Sequence, residues 1–198
     1  MEENKNKQLN GNDSGIDVEK LRRKIRKSEF SVKSYQYFIL RALLVIGLVW
    51  ILFFKIVGLT TAPGDDMAPS VKHGDLMLFY RLDKTYRYRD VIVYESDPDE
   101  SGEKDVYVGR IIAAPGDTLD ISENGAVIVN GNTLVEQDIR TATPVYGEFV
   151  EYPVRLGENE FFVLADDRLN GMDSRYIGAV EKKDVIGSVI TIVRRHDL

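Results

Sequence analysis

The stretch LMLFYRLDKTYRYRDVIVY, Leu76 to Tyr94, contains two short apolar runs separated by a charged segment. Runs of this length are too short for buried helices, and Val, Ile, Phe and Tyr suit a pleated surface, so Leu76–Tyr80 and 91–94 are expected to be strands. The pattern continues outward. Asp105 to Val108, Ala126 to Val129, Glu160 to Leu164 and Ile186 to Val193 have the same character, and Asn124-Gly125 and Asn130-Gly131 supply hairpin turns because Asn-Gly tolerates positive φ. The last run, VIGSVITIV, is too short to cross a bilayer and reads as a buried strand. A mostly β region is therefore expected over residues 60–198, with about 118–160 a smaller β subdomain or insertion.

Upstream the character changes. From Tyr35 to Leu59 the only charged residues are Arg41 and Lys55, and the segment is apolar on all sides rather than along one stripe. A membrane span needs about 20 such residues, and both cations can snorkel to the headgroups. Residues 35–59 are thus expected to be a single transmembrane anchor. Lys20, Arg22, Arg23, Lys24, Arg26, Lys27 and Lys33 precede it, so the positive-inside bias puts the tail, residues 1–34, in the cytoplasm and the β region outside the cell. The first fifteen residues, polar and Gly/Asn-rich, are expected to be disordered. The alternative is a cleavable leader with Thr60-Thr61-Ala62 as its small-residue site. The long cytoplasmic region, the length of the apolar run and Pro63 just after the cut disfavour it.

Composition excludes other classes. The chain has 198 residues and a formal charge of -6, which leaves no basic surface for nucleic acid. It has no cysteine, so disulfides, thiolate metal sites and thiol nucleophiles are out. Its two histidines, His73 and His196, lie far apart in the chain and read as surface residues. The loop ESDPDESGEKD, Glu95 to Asp105, partly matches a calcium-binding loop through Asp97, Asp99, Ser101 and Gly102, but Val108 stands where the bidentate acid belongs. It reads as a solvated acidic loop. No metal or cofactor is implied.

Three further segments carry a resemblance. They are PGDDMAPSV at 63–71, followed by His73-Gly74-Asp75; VGRIIAAPGD at 108–117; and ADDRLNGMDSRYIG at 165–178. Together, in this order and behind an apolar anchor, they resemble the three boxes of the type I signal peptidases, membrane-anchored Ser/Lys enzymes that remove leader peptides. The resemblance implies a signal-peptidase-like antiparallel β fold. It also implies that Asp66 occupies the position of the family's nucleophilic serine and Gly109 that of its general-base lysine. Gly171 then stands for the serine that helps hold the lysine. The residues Gly64, Asp65, Asp66, Met67, Pro69, Val108, Gly109 and Arg110 would border the peptide groove, while Asp166, Arg168, Asp173, Ser174 and Arg175 would be structural.

With those side chains exchanged, little chemistry remains. A serine needs a base, and a lysine acts as one only when its pKa falls from about 10.4. A carboxylate attacking an amide would form a mixed anhydride and place its charge beside the developing oxyanion. Lys104 lies roughly 16 Å along the strand from Gly109 and on the opposite face. Asp65 and Asp66, being adjacent, point apart and cannot share a proton. Asp66 is therefore expected to be a satisfied acid, bonded to turn amides or paired with a cation such as Arg110. Degenerate proteins of this kind resemble the accessory members of Gram-positive pilus loci. That resemblance implies a chaperone or scaffold for sortase-dependent pilus assembly, with pilin subunits and sortase as partners and self-association open. An active peptidase with atypical residues, or a regulator of an active one, is the alternative.

Overall fold

A computed structural model describes residues 18–82, 84–98, 101–139, 141–146 and 149–194. His196, Asp99 and the polar stretch 1–15 lie outside them. The chain divides into two compact units, the first ending at Val49 and the second beginning at Trp50.

Helix α1, Val18–Ile51, runs into a π-helical turn, Leu52–Ile56, where the Val57 amide still bonds to the Leu52 carbonyl. Within this helical stretch Val32–Ile56 is long and apolar enough to cross a membrane. Leu43, Val45, Ile46, Leu48 and Phe54 all stand exposed, as a helix without a protein partner requires. The helix ends before Leu59 because the next residues are claimed by a sheet. Strand β1, Val57–Thr61, is rich in β-branched residues and pairs along its whole length with β2, Leu76–Tyr80, from Val57↔Tyr80 to Thr61↔Leu76. Cleavage after Ala62 would strip this strand from the sheet.

The elements that follow are β3 (Val91–Ser96), β4 (Asp105–Ala113), β5 (Thr118–Ile121), β6 (Val127–Val129), β7 (Asn132–Thr133), β8 (Val154–Arg155), β9 (Glu160–Leu164), α2 (Ser174–Ile177), β10 (Val180–Glu181) and β11 (Val185–Val193). They form a seven-stranded antiparallel sheet in the order β1-β2-β11-β3-β4-β9-β10 and a four-stranded antiparallel sheet in the order β7-β6-β5-β8. The chain's last strand thus fills the gap between β2 and β3. The Asn130-Gly131 turn joins β6 to β7 with φ of 53° and 78°, the doubly positive geometry that favours Asn-Gly.

Consecutive residues are buried in β3, β4 and β9, so both faces of the sheet are covered there and these strands read as continuous apolar runs. Alternation sorts the side chains. In β9, Phe161 and Val163 join Ile92, Tyr94 and Ile111 on one side. Phe162 and Leu164 turn the other way and pack with Leu119, Ile121 and Val127 of the small sheet. The segment 118–155 therefore shares its core with the large sheet. A third cluster packs Met67 and Val71, after the first strand, against Val93 and Val108. Phe162 is fully buried, so Phe162→Ala should cost about 3–5 kcal/mol in denaturant unfolding of the full chain in detergent, followed by near-UV dichroism of the tyrosines. The exposed control Leu169→Ala should stay within about 0.5 kcal/mol.

Candidate functional site

The stretch Pro63 to Ser70 folds into a compact turn. The Ala68 amide donates to the Asp65 carbonyl at 2.8 Å and the Val71 amide to the Met67 carbonyl at 2.7 Å. Met67 is buried against Val108, which fixes one side of the turn. Asp65 is exposed and its carboxylate accepts the His73 amide at 2.8 Å, while the His73 ring lies 3.0 Å from the Pro63 carbonyl. Gly64 leaves room for the Asp66 carboxylate, since a Cβ there would approach Asp66 Oδ2 to 2.9 Å. Pro69 follows a cis peptide bond and is exposed.

Asp66 is half-buried and accepts the Met172 amide at 3.2 Å, while its backbone carbonyl accepts the Asp167 amide at 2.8 Å. Its carboxylate accepts one amide and its backbone carbonyl another, and both amides come from the 165–175 loop rather than from its own turn. Arg110 does not pair with it. The Arg110 guanidinium instead grips Asp166 with two bonds, Nε to Oδ1 at 2.8 Å and Nη2 to Oδ2 at 2.6 Å, and reaches the Arg89 carbonyl at 3.1 Å. Its hydrogen bonds to Asp166 raise the pKa of Arg110. Planar guanidinium and carboxylate groups match in this fork geometry, which commits Arg110 to Asp166.

The loop that clamps Asp66 is held from inside by buried charge. Arg168 and Arg175 have no exposed surface. Arg175 donates to Asp173 through Nε at 2.8 Å and Nη2 at 2.8 Å, and to the Arg168 carbonyl at 2.6 Å. Arg168 donates to the Ala165 carbonyl at 2.7 Å, to Thr143 Oγ1 at 2.9 Å and to Glu136 at 2.6 Å. Asp173 also caps α2 through the Arg175 amide and accepts the Ala165 amide at 2.9 Å. Ser174 Oγ accepts the Val163 amide at 3.0 Å, which ties the loop to β9. At the surface Asp167 accepts from the Asn170 side chain and from the Leu169 and Asn170 amides. These bonds, the Asn170 side chain's first, hold its carboxyl below the usual range.

The two glycines are filled positions, not holes. Gly109 is buried, and a Cβ on it would lie 2.4 Å from Val163 Cγ1 and 3.6 Å from Tyr94 Cε1. A Cβ on Gly171 would lie 2.2 Å from Ala165 Cβ and 3.4 Å from the Asp66 carbonyl. Asp66 and Gly171 are thus brought together, and Tyr94 stands beside Gly109. Burial pushes the Tyr94 phenol far up, with the charges of Asp173 and Asp66 adding to the effect. Its hydroxyl has no hydrogen-bond partner among the described residues, and it stays protonated across physiological pH. The phenol is no base. Lys104 pairs with Asp184 at 2.6 Å, and Lys84 donates to the Val185 carbonyl at 3.1 Å. Asp97 accepts the Ser101 and Gly102 amides within its own loop. Tyr94, Val163, Glu136 and Thr143 are the participants that sequence reasoning missed. Tyr94 and Val163 look like ordinary strand residues, and Glu136 lies 32 residues from Arg168 with no periodic signal to join them.

Three comparisons bear on this geometry. The family described as signal peptidase, peptidase S26, matches residues 32–194. A probable signal peptidase I-2 of Synechocystis sp. is 32% identical over 133 residues, which are 63% of this chain and 57% of that protein. A protein named inactive signal peptidase IA, from Staphylococcus aureus strain COL, is 27% identical over 169 residues, 79% of this chain and 90% of that one. Among solved structures, a signal peptidase I from Enterococcus faecalis V583 is 24% identical, with 54% of this chain and 97% of that chain covered and a TM-score of 0.45.

The packing around Gly109 gives a direct prediction. Gly109→Ala should destabilise the protein by about 1–3 kcal/mol through overpacking, and the cost should shrink sharply in a Val163→Ala background, as measured by thermal unfolding in a double-mutant cycle. Strictly additive costs would show that Val163 does not occupy the place a side chain at 109 needs.

Proposed function

The chain belongs to the signal peptidase family, peptidase S26, and from that premise we propose that it is a non-catalytic member, a chaperone or scaffold for sortase-dependent pilus assembly that binds pilin subunits. The observation that carries this reading is the joint state of the three positions. Asp66 accepts the Met172 amide through one carboxylate oxygen, and Gly109 and Gly171 have their side-chain space taken by Val163 and Ala165. No group at the site can both activate a nucleophile and tolerate the oxyanion it would generate. The relative named as inactive, which aligns over most of both chains, supports the same conclusion.

The surface that a peptide would use in this reading is the turn containing Gly64, Met67 and Pro69, packed through Met67 on Val108, beside a strand whose Arg110 is paired with Asp166. A chain laid beside such a surface can gain backbone hydrogen bonds without being cut. Val32–Ile56 serves in this reading as a single-pass anchor, oriented by the basic residues before it, with the β region outside the cell where exported subunits emerge. Sortase is the second partner, since the subunits must be handed on.

Deletion of the gene should abolish pilus polymers on immunoblots of cell-wall extracts. Complementation with wild type or with Asp66→Ala should restore them, because the turn is used for shape rather than for a reacting carboxylate. Normal polymers in the deletion strain would contradict the proposed role.

A further inference from the structure

Away from the Asp66 turn, the β5–β6 loop and the segment 142–145 line an open groove of about 520 Å³, walled on one side by Leu169. That volume lies within the range of natural ligand sites, roughly 300–1,000 Å³. Its walls are joined at the base. The Thr143 amide donates to the Gly125 carbonyl at 2.9 Å, and a Cβ on Gly125 would come within 2.7 Å of Ala142 Cβ. Thr143 is itself buried and bonded to Arg168, so the groove rests on the same internal charge network that holds the loop below Asp66.

Two features say what the groove accepts. Its apolar side chains are presented to solvent instead of packed away, with Leu169 at 58% and Val145 at 42% exposure. The Leu169 carbonyl accepts the Tyr146 hydroxyl at 3.4 Å, and Tyr146 stacks on Tyr176, against which the exposed Phe149 also lies. The apolar surface therefore continues from the groove onto an aromatic platform, the residue type that anchors interfaces. One exposed carboxylate, Glu123, lines a wall, while Asp167, outside the lining, holds the Leu169 loop by accepting the Leu169 amide. Neither Lys nor Arg is among the described residues that line the groove. A lining with one exposed carboxylate and no cation favours a cationic segment over an acidic one.

We infer that this groove is a second docking site, for a polypeptide segment that places an apolar side chain against Leu169 and flanks it with lysine or arginine facing Glu123. The inference rests on the reading that the chain binds exported proteins. It adds a contact away from the Asp66 turn and specifies its chemistry.

The test uses the full chain in detergent micelles and a fluorescein-labelled peptide with a Leu-Phe core between two lysine pairs, titrated by anisotropy. A second peptide carries the same core between two glutamate pairs. The lysine peptide should bind saturably, more weakly as salt rises, and the glutamate peptide should not. Leu169→Ser and Glu123→Lys, both at exposed positions, should each weaken binding by about tenfold or more, the loss expected from removing one leucine-sized contact or reversing one facing charge. Equal binding of the two peptides, no binding of either, or unchanged affinity in both variants would overturn the groove. Pili that vanish on gene deletion but persist with both variants would also overturn it and leave the assembly role standing. Pili indifferent to deletion, with peptide binding still lost in the variants, would support the groove and refute the assembly role.

Discussion

Two guanidinium groups with no access to water govern this cleft. Burying an unpaired charge is prohibitively costly, and breaking a buried pair costs several kcal/mol because its partner is left stranded. Arg168 and Arg175 must therefore find every acceptor inside the protein, and they do so by folding residues 165–175 around themselves, with Asp173, Glu136, Thr143 and four backbone carbonyls completing the set. The loop that results presents the Met172 and Asp167 amides to Asp66. The shape of the cleft is thus a by-product of satisfying buried charge. It needs no nucleophile.

This separates architecture from chemistry. The residues that hold the loop are engaged with one another, while Asp66 accepts an amide and Gly109 and Gly171 are tightly packed. Val163 stands over Gly109 and Ala165 over Gly171. A larger side chain at either glycine would mean repacking a dense interior, where an added methylene already costs about 1–3 kcal/mol. The same network supports the apolar groove near Leu169 through Thr143, so one set of buried contacts positions both surfaces.

Most of the β architecture was legible. Leu76–Tyr80, Glu160–Leu164 and the strands beginning at Val91 and Asp105 carry strong β-formers between turn residues, and their local preference agrees with their final environment. The two- to four-residue strands at Thr118, Asn132, Val154 and Val180 were not legible, because their pairing is set by neighbours in space rather than by any run of their own. The anchor was read as reaching Leu59, while Val57–Thr61 has the β-branched content of a strand, and a hydropathy argument cannot see the partner waiting at Leu76–Tyr80. The acids at 65 and 66 could be assigned to a turn from sequence. That Arg110 would prefer Asp166 to Asp66 could not, since the choice depends on fork geometry across 56 residues.

The central claim, that the turn around Asp66 is a holding surface and not a reacting one, is tested most directly by mixing the full chain, reconstituted in phospholipid vesicles, with a leader-bearing pilin precursor and weighing both products by intact-mass spectrometry. The account predicts that the precursor is recovered bound and uncut, with wild type and Asp66→Ala indistinguishable. Release of the leader by wild type, lost in Asp66→Ala, would contradict it.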